Sequence, residues 1–132
     1  MRFTVEGGAV TVFARRLDLE RMVRNLLENA VRHSPEGGEV RITIDDAEAT
    51  VSIAVADDGP GVPESERPRI FEPFFRSGAA RTDASGSGLG LPIAREVARA
   101  HGGDVVLAED AGPGRTSGAR FVATVSRLPC PH

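Results

Sequence analysis

Asn25, Asn29, Arg32 and His33 recur at a spacing that, at about 100° per residue of an α-helix, gathers all four within about a quarter turn. Two amides, a guanidinium and an imidazole in one row offer an oxygen ligand for Mg²⁺ (Asn29, Asn25), a fork for phosphate (Arg32) and a flat ring for stacking (His33). The row lies beside an apolar stripe and not opposite it, where a cleft wall would be. Taken alone, it is also what the solvated polar flank of an amphipathic helix carries.

Three further groups could join it. Asp57-Asp58-Gly59-Pro60-Gly61 follows an alternating apolar run and sets a carboxylate at a sheet rim, with glycines that admit close backbone approach. A carboxylate there could accept the amino group of a purine, and the same residue types make a plain turn. Phe71-Glu72-Pro73-Phe74-Phe75-Arg76 concentrates three of the six phenylalanines in a Gly/Ser/Arg-rich stretch. The rings should anchor it, leaving Arg76 and Arg81 to reach a phosphate; a small satellite core would use the rings equally well. Gly86-Ser87-Gly88-Leu89-Gly90-Leu91 directly precedes a helical pattern and aims bare N–H groups and a helix N-terminus at one point, a natural anion site. A glycine-rich linker reads similarly.

The elements that must position these groups are legible in the hydrophobic period. Phe3 and Val5, then Val10 and Val12 across Gly7-Gly8, predict a hairpin at a sheet edge. Leu19, Met22, Val23, Leu26, Leu27 and Ala30 predict an amphipathic helix from Leu17 onward, stopped by Ser34-Pro35-Glu36-Gly37-Gly38. Val40, Ile42, Ile44 and Val51, Ile53, Val55 predict adjacent antiparallel strands with one buried face. The stretch from Pro60 to Gly90 has only a short helical possibility near Glu64 to Phe71, and reads as a mobile lid, disordered over 77–88 without ligand. Pro92 opens a second helix with Ile93, Val97 and Ala100 inward, ended by Gly102-Gly103. Val105 to Leu107 and Phe121 to Val125 supply the last strands. The expected architecture is an α+β two-layer sandwich: a mixed sheet of about five strands with three helices on one face.

Composition narrows the chemistry. The chain has 132 residues, one domain's length, and all 16 of its basic residues are arginine. Without lysine there is no Walker A lysine, no Schiff base and no lysine general base. A net charge of -3 argues against a nucleic-acid partner. The one cysteine, Cys130, provides neither a disulfide framework nor a thiolate metal site, and a reducing cytoplasmic setting fits. No apolar run approaches the roughly 18 residues that span a bilayer, and no secretory region follows Met1, so a soluble chain is expected.

In joint order, Asn25-x-x-x-Asn29, the Asp57 glycine motif, the phenylalanine-rich segment and the Gly86 to Gly90 motif resemble the N, G1, F and G2 boxes of bacterial sensor histidine kinases. The resemblance runs from about Leu17 to Val125. It implies the catalytic ATP-binding domain with the Bergerat fold, shared with gyrase, heat-shock-90 and mismatch-repair ATPases. It further implies that Asn29 coordinates Mg²⁺ with support from Asn25, that Arg32 meets phosphate and that His33 flanks the nucleotide. By the same resemblance Asp57 binds the adenine amino group, Gly59 and Gly61 shape its pocket, and Arg76 approaches the γ-phosphate. Gly86, Gly88 and Gly90 hold the phosphates, with Leu89 and Arg81 in the ATP-binding set. Two positions depart from the family pattern: His33 stands where tyrosine is common, and Arg15-Arg16 precede Leu17 where an aspartate is usual.

ATPases of this superfamily activate water with a glutamate one turn before the Mg-binding asparagine. Here that position is Asn25, which cannot accept a proton, and the neighbouring Glu28 points about 100° away. The implied activity is transfer of the γ-phosphate with little hydrolysis, in which Asn25 and Arg76 act on the reacting group. No histidine here carries a phosphoacceptor pattern: His33 precedes Ser34-Pro35, His101 precedes Gly102-Gly103, and His132 is last. His101 is expected to close its helix. Residues 1–132 are therefore expected to be a single, monomeric catalytic domain with a flexible tail over 127–132. Its phosphoacceptor and dimerisation domain would lie elsewhere in a membrane-anchored homodimer that feeds a response regulator. An anti-sigma-factor serine kinase of the same fold and a non-catalytic interaction module are the alternatives.

Overall fold

In the computed structural model, residues 2–6, 16–33, 37–46, 49–59, 61–73, 90–108 and 118–126 are described. The apolar stripe forms helix α1 (Arg16–His33), with Asp18 in its first turn and Arg32 and His33 in its last, the charge order that suits a helix dipole. Met22, Leu26 and Ala30 are fully buried, and Leu19, Val23 and Leu27 pack around them. Each large side chain so buried stabilises the fold by about 1.5–3 kcal/mol. Glu28 is exposed while its neighbour Asn29 is buried, as helical geometry requires.

Among the described residues five strands make one sheet: β1 (Arg2–Glu6), β2 (Glu39–Asp46), β3 (Thr50–Ala56), β4 (Asp104–Leu107) and β5 (Arg120–Ser126), in the order β1-β2-β3-β5-β4. Strands β2 to β5 are antiparallel to their neighbours, and β1 joins β2 in parallel at one edge. The register pairs Ile42 with Val55, Ile44 with Ile53, Val55 with Phe121 and Phe121 with Leu107. One sheet face therefore carries the apolar set and meets the helices. The opposite face carries Thr43, Ser52 and Thr124, with Val106 46% exposed, and is partly wet. The expected mixed sheet, with β1 at its edge, is present. Strand β1 pairs in parallel with β2; Val10 and Val12, the other half of the expected hairpin, lie outside the described residues.

Two α-helices and one short turn occur among the described residues, where three helices were expected. The segment near Glu64 to Phe71 makes only a three-residue 3₁₀ turn (Arg67–Arg69), because Pro68 supplies no N–H and blocks a longer helix. Helix α2 (Gly90–Ala100) also differs in its inner face. Ala94 and Ala98 are fully buried, Leu91 and Val97 pack at the margin, and Ala100 is exposed. Because α2 is wedged against both α1 and the sheet, the smallest side chains at i and i+4 face inward. A Schellman motif ends it: Gly102 has φ +82, its N–H donates to Arg99, and the Gly103 N–H donates to Ala98 at 2.9 Å. His101 closes the helix as expected, its Nδ1 donating to the Val97 carbonyl at 2.8 Å.

Candidate nucleotide site

The half-buried side chains of Asn25, Arg32 and His33 flank the buried Asn29, which is 6% exposed. The His33 Nδ1 donates to the Asn29 carbonyl at 2.8 Å, so the ring folds back along its own helix. A buried polar residue beside this row of amide, guanidinium and imidazole suits a site built for an outside ligand.

Asp57 follows directly on β3, a central strand held by β2 and β5, and this fixes its carboxylate at the sheet rim at 1% exposure. Its Oδ1 accepts the Gly59 N–H at 2.8 Å, the closed ring of an Asx turn. Its own N–H donates to the Ala119 carbonyl at 2.9 Å. Burial pushes the Asp57 carboxyl above the usual aspartate range. The Gly59 hydrogen bond, the His33 charge and the Ala119 backbone oppose this without cancelling it, and Asp58 adds to it. The Asp58 side chain turns elsewhere, where its Oδ2 accepts the Glu39 N–H at 2.8 Å and ties the turn to the start of β2.

Contacts at the glycines bring the two groups together. A Cβ at Gly59 would overlap the His33 carbonyl oxygen, so the end of α1 rests on the Asp57 turn. Gly61 has φ +82, and a Cβ there would lie 2.9 Å from the Gly118 oxygen. Gly90, the first residue of α2, has its Cβ direction 3.8 Å from Asn25 Cβ, which sets the α2 N-terminus beside the amide row. The structure therefore gathers Asn25, Asn29, His33, Asp57, Gly59, Gly61 and Gly90, with Arg32 on the same helix. Arg76, Arg81, Gly86, Gly88 and Leu89 lie outside the described residues, as do Phe74, Phe75, the 77–88 lid and the 127–132 tail.

Phe71 anchors the phenylalanine-rich segment at its start. Its ring meets Phe121 edge-on at 6.2 Å, and the Arg95 guanidinium lies over it at 4.4 Å. Arg95 also pairs with Asp104 at 2.9 Å. Arg95, Asp58, Gly118 and Ala119 carry roles that local pattern did not reveal. Gly118 and Ala119 precede the strand predicted from Phe121 to Val125, and nothing nearby in the chain links them to Asp57.

A divalent cation would be held here through oxygen. No cluster of three His, Cys, Asp or Glu suited to a metal occurs among the described residues. Amide oxygens of Asn29 and Asn25, with waters and phosphates completing the shell, match the chemistry of Mg²⁺.

Residues 14–129 match the family model of histidine kinase-, DNA gyrase B- and HSP90-like ATPases. The alginate biosynthesis sensor protein KinB of Pseudomonas aeruginosa is 43% identical over 106 residues, which are 80% of this chain and 17% of that protein. The histidine-protein kinase/phosphatase MprB of Mycobacterium bovis is 41% identical over 115 residues, 86% of this chain and 22% of its own. The chain thus spans about a fifth of the length of these curated relatives. Among solved structures, a mycobacterial sensor histidine kinase MprB superposes with a TM-score of 0.82 at 35% identity, covering 98% of this chain and 85% of that one. The catalytic domain of the histidine kinase ThkA gives 0.80 at 30% identity, covering 97% and 81%. On sequence, fold and site together, this chain belongs to the histidine kinase-, DNA gyrase B- and HSP90-like ATPase family.

Proposed function

We propose that the domain binds Mg-ATP and donates its γ-phosphoryl group to a histidine on a phosphoacceptor domain, from which it passes to a response-regulator aspartate in two-component signalling. The observation that carries this reading is the contact of Gly59 with the His33 carbonyl, which joins the Asp57 carboxylate to the amide row of α1. One end of the site then offers a buried acceptor for the adenine amino group, and the other offers amides for the phosphate region.

Asp57 orients the base, held by the Gly59 N–H. Asn29 and Asn25 hold Mg²⁺, which when bound offsets the phosphate charge. In this reading Arg32 and Arg76 serve to bind the phosphates, and Arg81, Gly86, Gly88, Leu89 and Gly90 complete the phosphate-binding set. Phosphoryl transfer depends on positioning and charge neutralisation more than on covalent help from the protein. The bond from the γ-phosphorus to the ADP oxygen breaks, and one to an imidazole nitrogen of the acceptor forms. Asn25 has no lone pair basic enough to activate water, which favours transfer over hydrolysis. In this reading residues 1–132 act as one catalytic domain on the cytoplasmic side of a membrane-anchored homodimer. No helix of the described residues is long and apolar enough to cross a membrane.

Calorimetric titration of the chain with ATP, with and without Mg²⁺, tests the binding half. Radiolabelled ATP with and without an added phosphoacceptor domain tests transfer. Expected are Mg-dependent binding, no stable label on this chain, and label on the added domain. Absence of nucleotide binding overturns the reading, and phosphoserine on an added antagonist protein would redirect it to a serine kinase.

A further inference from the structure

Asp57 owes its direction to a residue remote in sequence. Its N–H donates to the Ala119 carbonyl at 2.9 Å. Its own carbonyl oxygen lies so close to Gly118 that a Cβ there would overlap it. Both backbone groups of Asp57 are thus gripped by residues 118–119, and its Oδ1 is held by the Gly59 N–H at 2.8 Å, so the direction of the carboxylate follows the placing of this peptide. The Gly118 carbonyl in turn lies 2.9 Å from the Cβ position of Gly61, so one peptide braces both glycine turns of the site. Gly118 has φ +104, a conformation that side chains disfavour, and no residue but glycine satisfies both the angle and the approach.

We propose that Gly118 is a positioning residue for base selection: it sets the Asp57 carboxylate so that the site prefers a purine with a 6-amino group over one with a 6-oxo group. The inference rests on the nucleotide reading above. An alanine at this position must push the Asp57 peptide aside and turn the carboxylate off the line of the 6-amino hydrogen. Hydrogen bonds weaken steeply with angle, whereas none of the atoms nearest the Gly118 Cβ position belongs to α1, which carries the amides of the phosphate end. The effect therefore falls on the choice between bases rather than on triphosphate binding at large.

Gly37 provides the control. Its φ is +80, yet nothing lies within 4 Å of its Cβ position, so an alanine there bears the backbone strain without the collision. The test compares binding of ATP and inosine triphosphate by the wild-type chain, Gly118→Ala and Gly37→Ala, with circular dichroism and thermal melts on each. Expected is a preference for ATP in the wild type and in Gly37→Ala, and a loss of about tenfold or more in ATP affinity in Gly118→Ala, with inosine triphosphate affinity little changed. A folded Gly118→Ala that keeps the wild-type ratio, or that loses both nucleotides equally, overturns the inference while leaving ATP binding standing. A wild type that binds neither nucleotide overturns the parent reading and the inference with it. If Gly118→Ala does not fold, Gly61→Ala carries the test. Its Cβ presses on the same Gly118 carbonyl, so a reduced ATP preference supports the inference and an unchanged one overturns it.

Discussion

The carbonyl oxygen of His33 rests against the α-carbon of Gly59, at the point where any side chain would overlap it. This contact joins the C-terminal end of α1 to the turn after β3, and so makes one site from two motifs that are separate in sequence. Gly59→Ala is expected to part them. Overpacking of this kind costs about 1–3 kcal/mol, so the melting temperature should fall together with ATP affinity. A variant with wild-type stability and affinity would show that the contact does not unite the site.

Asp57→Asn separates stability from binding. Burial raises the carboxyl of Asp57, so the folded state holds its proton more tightly than the unfolded state does. The resulting stabilisation is complete below the ordinary value of 3.8 and is lost as pH rises through the folded value. Above the folded value the wild type carries a buried charge that asparagine removes while its Oδ1 still accepts the Gly59 N–H. The variant should melt higher than the wild type on the alkaline side of that value, and the gain should vanish in acid. A hydrogen bond to a charged acceptor is worth roughly 1.5–3 kcal/mol, so ATP affinity should drop about ten- to hundredfold. Melts across pH and calorimetry check the two effects independently.

Asn29→Ala is expected to remove the Mg²⁺ dependence of ATP binding while leaving the fold intact. Asn29 packs at the margin of the apolar stripe of α1 rather than within it, so the core residues Met22, Leu26 and Ala30 keep their places. Titrations with and without Mg²⁺ should converge in the variant. A persistent Mg²⁺ effect of wild-type size would assign the cation to other ligands.

Arg95 spans three elements: it lies over Phe71, and it pairs with Asp104 at the start of β4 beside Arg99 on its own helix. Burial opposes ionisation of Asp104, but hydrogen bonds from Arg95, the Val105 N–H and Arg99 overcome it and hold the carboxyl below 3.8. The stabilisation is therefore present above that value and is lost as pH falls through the folded one. Solvent screens a pair this accessible, so Arg95→Ala should cost about 1 kcal/mol with the ring contact included. A double-mutant cycle with Asp104→Asn should show coupling at neutral pH that disappears in acid.

Periodicity and residue type by themselves determined the two helices, the alternating strands, the glycine stops and the candidate rows on α1 and after β3. These are local properties: a 3.6-residue or two-residue period is written in neighbouring side chains. Pro68 shows how a local signal can still be misjudged, since one missing N–H reduced an expected helix to a 3₁₀ turn. Tertiary structure alone decided that β1 pairs in parallel with β2, that alanines rather than Ile93 and Ala100 face inward on α2, and that Gly118 braces Asp57. Each of these depends on which surfaces meet after the chain has crossed the sheet, and on whether two backbones can approach without a Cβ between them. Such a distance has no period and leaves no pattern among sequence neighbours, so nothing marks Gly118 out until β5 is laid beside β3.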